Sequence, residues 1–137
     1  MNPAICSGSF DPITLGHLDI IQRAARCFDR VVVCVVPNAE KRGQMFTPEQ
    51  KLTLVQKAVA GLPNVEAELW PGLLAEFARR HDARVIVRGV RNGTDFDVEC
   101  QLARINEGLL PGLETVLLPA AAEYAHFSST MAREMIR

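Results

Sequence analysis

The sequence lacks the features that mark several large classes of protein. Its formal net charge is −1 at pH 7, so no overall positive field indicates a nucleic-acid or membrane-surface partner. No apolar stretch is long enough to span a bilayer. The N-terminal segment MNPAICSG has neither a basic region nor a long apolar region, so we expect no secretory signal and a cytoplasmic location.

Cysteine is present, but without the spacing that a metal or redox site requires. The four cysteines, Cys6, Cys27, Cys34 and Cys100, form no CxxC pair, and no histidine stands at ligand-like spacing from a cysteine pair. Each lies in a segment of periodic apolar residues. We therefore expect four buried free thiols in a reducing compartment, and no metal site built by protein ligands.

Three common motifs are absent as well. There is no GxxxxGK followed by Ser or Thr, no GxGxxG and no GxSxG. These absences argue against a P-loop NTPase, a dinucleotide-binding fold of the GxGxxG type and a hydrolase with a nucleophile elbow.

Strand-like and helix-like segments alternate along all 137 residues. The segment RVVVCVVP is a continuous β-branched run, which is typical of a parallel strand covered on both faces. Other segments repeat apolar residues at helical spacing, as in Leu18, Ile21, Ala25 and Phe28. The pattern of five strands and five helices predicts an α/β, Rossmann-like fold: a single domain over residues 1–137, with an open parallel five-stranded sheet and helices on both faces.

Two of the predicted helices carry further detail. Thr47, Pro48 and Gln50 predict a helix start with proline at its first position and a capping box. The helix predicted from Asp95 to Leu109 has one apolar face, formed by Val98, Leu102, Ile105 and Leu109.

Glycine, basic and hydroxyl residues follow the predicted strands. GSFDPITLGH (8–17) comes after the first strand, Lys41 and Arg42 after the second, RGVR (88–91) after the fourth and HFSST (126–130) after the fifth. In an open parallel sheet, ligands bind beyond the carboxyl ends of the strands. Glycines, helix N-termini and arginines together favour a polyphosphate ligand at this edge.

Each of these features also has an ordinary explanation. The glycines are common in turns, and His17 suits the surface of a helix N-terminus. Lys41 and Arg42 suit a solvated loop, and the hydroxyl residues suit helix caps. The functional interpretation depends on all of them falling at one edge of one sheet.

Three motifs, in order, resemble a known family. GSFDPITLGH resembles the signature of nucleotidyltransferases that carry a TxGH or HxGH element. Together with RGVRNGTDFDVE and FSSTMARE, it resembles bacterial phosphopantetheine adenylyltransferase over essentially the whole chain. The resemblance implies an enzyme that transfers AMP from ATP to 4′-phosphopantetheine, giving dephospho-coenzyme A and pyrophosphate.

The resemblance also implies roles for individual residues. His17 would be the catalytic residue, and 4′-phosphopantetheine would be bound by Ser9, Lys41, Leu74 and Arg88. ATP would be bound by Ser9, Phe10, His17, Gly89, Val90, Arg91, Glu99, Tyr124, Ala125, His126, Phe127, Ser128, Ser129 and Thr130. Mg²⁺ would be held mainly by the ATP phosphates and water. A homo-oligomer, typically a hexamer, is expected.

Two rival functions remain open at this point. One is adenylyl transfer to nicotinamide mononucleotide or cytidylyl transfer to a polyol phosphate; Thr14, where such enzymes carry a first histidine, argues against both. The other is a nucleotide-binding regulatory module without turnover, which the presence of His17 and Arg91 disfavours. The chain stops soon after the FSST helix begins, where relatives carry a further helical segment, so we expect either a naturally short end or a truncated one.

Overall fold

The computed structural model describes residues 2–37 and 45–124. Within these ranges the strands are β1 (Ala4–Gly8), β2 (Val31–Val35), β3 (Val65–Leu69), β4 (Val85–Val90) and β5 (Glu114–Pro119). The helices are α1 (Leu15–Cys27), α2 (Pro48–Val59), α3 (Leu74–Arg80) and α4 (Gly93–Leu109), followed by a 3₁₀ turn at Ala122–Tyr124. The fifth helix predicted from the sequence lies outside the described residues.

The five strands form one parallel sheet in the order β3-β2-β1-β4-β5. The chain builds outward from β1 to β3 and then returns to place β4 on the other side of β1. The order therefore reverses between β1 and β4, which is where such sheets bind ligands. All five residues of β2 are buried, as its unbroken run of Val and Cys predicts.

Helices cover both faces of the sheet. Ile20, Ile21 and Ala24 of α1, with Val55 and Val59 of α2, pack on the face that carries Cys6, Val33 and Val87. Ala75, Phe77 and Ala78 of α3 pack on the opposite face, against Ile5, Val32 and Ile86. The predicted open parallel sheet with helices on both faces is confirmed.

The start of α2 forms as predicted. Pro48 is its first residue, and the Thr47 hydroxyl accepts a hydrogen bond from the backbone N–H of Gln50 at 3.1 Å. The Gln50 side chain accepts one from the backbone N–H of Thr47 at 2.9 Å. Two N–H groups that the helix cannot bond internally are thereby satisfied.

The cysteine prediction was partly wrong. All four thiols are free, and Cys6 and Cys34 are buried in strands. Cys27, however, is exposed, and Cys100 is half-buried. Cys27 is the last residue of α1.

The apolar face of α4 stays about half exposed in the single chain. Its residues are between 41% and 57% exposed: Val98, Leu102, Ile105 and Leu109. Phe96, in the same helix, is also exposed.

Among the helices that the structure describes, none has the length and the apolar composition of a membrane-spanning segment.

Candidate active site

A cavity of about 310 Å³ opens at the carboxyl ends of β1 and β4, where the strand order reverses. Its walls come from the loop after β1, the first turns of α1 and α4, the end of β4 and the segment after β5. It is lined by Cys6, Ser7, Gly8, Ser9, Phe10, Thr14, Gly16, His17, Ile20, Ile21, Val87, Arg88, Gly89, Arg91, Asp95, Glu99, Ala120 and Tyr124.

The loop after β1 folds back onto the strand through Phe10. This residue is buried and has a positive φ of 46°, which is uncommon for a residue other than glycine. A Cβ on Gly8 would stand 3.2 Å from the tip of the Phe10 ring, so the glycine leaves room for the ring. The turn places Ser9 in the cavity wall.

Asp11 joins this loop to a distant part of the chain. Its carboxylate is 2% exposed, and it accepts hydrogen bonds from the backbone N–H groups of Met45 and Phe46 at 3.1 and 3.0 Å. Asp11 therefore fixes the loop after β1 against the segment that leads into α2.

His17 is held by its own helix cap. It is the third residue of α1, and its backbone N–H donates to the hydroxyl of Thr14, the N-cap residue, at 3.2 Å. The backbone N–H of Thr14 donates to His17 Nδ1 at 3.0 Å. Because a backbone N–H can only donate, Nδ1 accepts, and the hydrogen of the neutral ring lies on Nε2.

The environment of His17 keeps the ring neutral. Burial, together with the positive charges of Arg88 and Arg91, lowers its pKa to about 4. The Phe10 ring packs edge-on against the imidazole with 5.0 Å between ring centroids. His17 is therefore an oriented, uncharged N–H donor at neutral pH.

Arg88 lies two residues before the end of β4, and its guanidinium group donates hydrogen bonds to Glu99 and Ser7. Its Nε and Nη2 donate to the two carboxylate oxygens of Glu99 at 3.0 and 2.9 Å. Its Nη1 donates to the carbonyl and the hydroxyl of Ser7 at 2.6 and 3.1 Å. The bidentate pair fixes the plane of the guanidinium group.

Arg91 is held by a second carboxylate of α4. Asp95 Oδ2 accepts from Nε and from the backbone N–H of Arg91, both at 3.1 Å. Asp95 and Glu99 lie one helical turn apart, so α4 presents two carboxylates, each of which binds one of the two arginines in the cavity wall.

Gly89, between these arginines, allows α1 to lie close to the sheet. A Cβ at this position would stand 2.8 Å from Ile20 Cγ1. Any larger residue would push α1, which carries His17, away from β4.

A second, smaller cavity of about 140 Å³ lies on the other face of the sheet. Leu74 and Ile86, which line this cavity, belong to the core on that face. Val87, which lines the first cavity, belongs to the core on the opposite face. Arg88 and Glu99 line both cavities. The Arg88–Glu99 pair thus forms the boundary between the two.

Of the ten predicted site residues that the structure describes, it brings most together. Eight line the first cavity: Ser9, Phe10, His17, Arg88, Gly89, Arg91, Glu99 and Tyr124. Leu74 lines the second cavity instead. Seven lie outside the described residues: Lys41, Ala125, His126, Phe127, Ser128, Ser129 and Thr130.

Val90 is the exception. It is the last residue of β4, and its carbonyl accepts from the backbone N–H of Ala120 at 2.8 Å, which extends the pairing with β5. The structure does not place it in the lining of the first cavity. The role of Val90 in the nucleotide pocket therefore stays a prediction.

Sequence reasoning missed several residues of the first cavity. Cys6, at its base, is one: burial raises the pKa of this thiol to about 12, against the opposing effect of Arg88, so the residue is an uncharged wall. Asp95 is another, and the signal that could have found it is its place four residues after Arg91 at the start of a helix.

Acidic and histidine ligands gather elsewhere. Among the described residues, the ligand atoms of Glu66, Glu68 and His81 lie within 4.8 Å of one another. This group is at the β3 edge of the sheet, away from the cavity, and Arg30 already pairs with Glu66. It offers nothing to a polyphosphate site.

The chain is similar in sequence to known proteins over nearly its whole length. A model of the family described as cytidylyltransferase-like matches residues 5–135. The phosphopantetheine adenylyltransferase of Symbiobacterium thermophilum is 48% identical over 135 residues, which cover 98% of this chain and 83% of the relative. That of Rubrobacter xylanophilus is 47% identical over 135 residues, covering 98% and 82%.

A solved structure supports the fold alone. A lipopolysaccharide core biosynthesis protein from Thermoplasma volcanium is 20% identical and superposes with a TM-score of 0.64, over 88% of this chain and 97% of its own. The matches in sequence are far closer and run through the cavity from the loop after β1 to α4. The chain therefore belongs to the cytidylyltransferase-like family and, within it, to the phosphopantetheine adenylyltransferases.

Proposed function

We propose that this chain transfers the adenylyl group of ATP to 4′-phosphopantetheine, giving dephospho-coenzyme A and pyrophosphate. An oxygen of the substrate's phosphate attacks the α-phosphorus of ATP, and the bond to the β-phosphate oxygen breaks. The attacking group is supplied by the substrate, so the protein needs no nucleophile of its own. The observation that carries the proposal is the cavity itself: a neutral, oriented histidine between two arginines at the switch point of the sheet.

His17 is the catalytic residue in this proposal. Its Nε2–H donates to an oxygen of the α-phosphate as negative charge builds there. A fixed donor of this kind stabilises the transition state more than the bound substrate, because its orientation is set before the reaction. The Thr14 cap supplies that orientation.

The two arginines divide the substrates. Arg88 faces both cavities and binds the phosphate of 4′-phosphopantetheine, with Leu74 of the second cavity beside the pantetheine arm. Arg91 lines the first cavity only and binds ATP. Ser9 contacts both ligands. Lys41, outside the described residues, is assigned to the phosphopantetheine side.

The remaining assignments concern ATP. Phe10, Gly89, Glu99 and Tyr124 line the first cavity and surround the nucleotide in this proposal. Val90, the last residue of β4, is also assigned to the nucleotide. The segment outside the described residues, 125–130, is assigned to the ATP phosphates.

Mg²⁺ fits the site as an ion bound to ATP. Asp95 and Glu99, the two carboxylates that line the first cavity, each hold an arginine, so neither is available as an uncommitted ligand. We therefore propose that the ion is held by phosphate oxygens and water, and that its chemistry is the neutralisation of phosphate charge.

A turnover assay with ATP and 4′-phosphopantetheine tests the function. We expect pyrophosphate release that depends on 4′-phosphopantetheine, and none with nicotinamide mononucleotide or a polyol phosphate. His17→Ala should lower kcat by about 10²–10³, as loss of one oxyanion-type donor does, with a much smaller change in ATP affinity. If the chain binds ATP but releases no pyrophosphate with any of these acceptors, the result would support a nucleotide-binding regulatory module.

Calorimetry tests the division between the arginines. Arg88→Ala should mainly weaken binding of 4′-phosphopantetheine, and Arg91→Ala should mainly weaken binding of ATP. Equal losses of both ligands in both variants would show that the two subsites are assigned wrongly.

We further propose a homo-oligomer, with a hexamer as the expected size. The apolar face of α4 is the support: four apolar residues at helical spacing stay exposed in the single chain. Sedimentation at micromolar concentration should show an assembly. Leu102→Glu with Ile105→Glu should dissociate it, whereas Gln101→Glu with Arg104→Glu, on the same helix, should not; a monomeric wild type would refute the proposal.

A cytoplasmic location is proposed on the cysteines. Cys6 and Cys34 are buried and free, and free buried thiols suit a reducing compartment. Cell fractionation with a tagged chain tests it.

A further inference from the structure

Asp95 has no role among those assigned so far, yet it lies in the cavity wall and is bonded to Arg91 twice. A single oxygen, Oδ2, accepts from both the backbone N–H and Nε of Arg91 at 3.1 Å. These two hydrogen bonds tie the backbone of Arg91 and the Nε of its guanidinium to the same carboxylate oxygen.

Asp95 is itself fixed. It is the third residue of α4, and its backbone N–H donates to Oδ1 of Asn92, the N-cap residue, at 2.9 Å. The cap fixes the backbone at Asp95 in the first turn of α4, and from this position its carboxylate reaches Arg91.

The Asp95–Arg91 pair contributes little to the stability of the fold. Both side chains are partly exposed, at 28% and 38%, and ion pairs of this kind contribute about 0–1 kcal/mol. An arginine that must meet a phosphate in one orientation, in contrast, gains directly from a partner that removes its rotational freedom in advance.

The charge of Asp95 acts in the opposite direction. A carboxylate near a polyphosphate site repels the ligand, so a carboxylate here lowers affinity unless its hydrogen bonds compensate. Orientation and charge can therefore be separated by replacing the carboxylate with an amide, which keeps an oxygen acceptor and loses the charge.

We propose that Asp95 is a positioning residue that holds the Arg91 guanidinium for the phosphates of the nucleotide. This inference rests on the proposed function of the site. Asp95 acts through Arg91 and does not itself touch the reacting atoms.

The test compares Asp95→Ala with Asp95→Asn in the full chain. Asp95→Ala should raise KM for ATP about tenfold, which corresponds to about 1.4 kcal/mol, and leave KM for 4′-phosphopantetheine within about twofold. Asp95→Asn should restore KM for ATP to the wild-type value or below it. The melting temperatures of both variants should stay close to that of the wild type.

Asp19→Ala is the matched control. Asp19 pairs with Arg23 at 3.1 Å with the same four-residue spacing on α1, and neither residue lines the cavity. This variant should leave both KM values unchanged.

Three results would overturn the proposal: an unchanged KM for ATP in Asp95→Ala, equal increases in the Ala and Asn variants, or an equal increase in Asp19→Ala. Equal increases would mean that the carboxylate's charge matters, and not its hydrogen bonds. If the wild type shows no turnover, the proposed function fails. ATP binding by calorimetry on the same variants then tests Asp95 separately, with the same ranking expected.

Discussion

Replacing His17 with glutamine separates the titration of the ring from its capping role. Thr47 and Gln50 of α2 form the capping box that Thr14 and His17 form on α1. A glutamine at position 17 can therefore accept from Thr14 as the ring does, but it does not titrate. At pH 7.5 we expect His17→Gln and the wild type to differ in free energy of unfolding by about 1 kcal/mol or less, the scale of one lost ring contact.

The two proteins should separate as the pH falls. The folded state holds the ring neutral down to a pKa of about 4, whereas the unfolded chain takes up a proton near the ordinary value of about 6.5. The unfolded state therefore gains protons first, and the wild type loses stability between these two pH values, while above about 6.5 nothing is lost. The full fall corresponds to about 3 kcal/mol, of which about 2 kcal/mol should be lost by pH 5.

Urea unfolding of both proteins at pH 7.5, 6 and 5 measures this difference. Other titrating groups are common to the two proteins and cancel in the comparison. His17→Gln should gain about 2 kcal/mol relative to the wild type between pH 7.5 and pH 5. Parallel stability curves would show that the ring is not kept neutral, and they would remove the argument that His17 acts as an uncharged donor. An NMR titration of the ring in the folded protein gives the pKa directly.

Two further changes test the packing around the cavity. Gly89→Ala should lower the free energy of unfolding by about 1–3 kcal/mol, because its Cβ would stand 2.8 Å from Ile20 Cγ1. The double variant with Ile20→Ala should lose less free energy of unfolding than the sum of the two single variants, and strict additivity would contradict the contact. Asp11→Ala should lower the free energy of unfolding by about 2 kcal/mol or more, because it leaves the N–H groups of Met45 and Phe46 without their acceptor. A decrease below about 0.5 kcal/mol, measured by denaturant unfolding, would show that water replaces the carboxylate.

The fold could be predicted because its signals are local. The unbroken apolar run of β2 needs only its own residues to indicate a strand buried on both faces. The same is true of the cap at Thr47, whose partners are three residues apart. Such patterns determine the type of each element and the order of the elements along the chain. The preference for right-handed crossovers then leaves few possible topologies.

The parts that could not be predicted depend on distant contacts. Nothing near Asp11 in the sequence indicates that its partners lie 34 and 35 residues away. The periodicity of α4 shows that one face is apolar, but not whether that face is covered, and in the single chain it is exposed. The exposure of Cys27 likewise depends on how the last turn of α1 packs, which apolar spacing does not encode.

Arg88 lies on the boundary between two cavities on opposite faces of one sheet, and its guanidinium is shared by them. A ligand that draws this group away from Glu99 or Ser7 on one side changes what the same group offers on the other. Two ligands that both engage it cannot bind independently. Thermodynamic linkage then requires the effect to be mutual: whatever factor the first ligand applies to the affinity of the second, the second applies to the first.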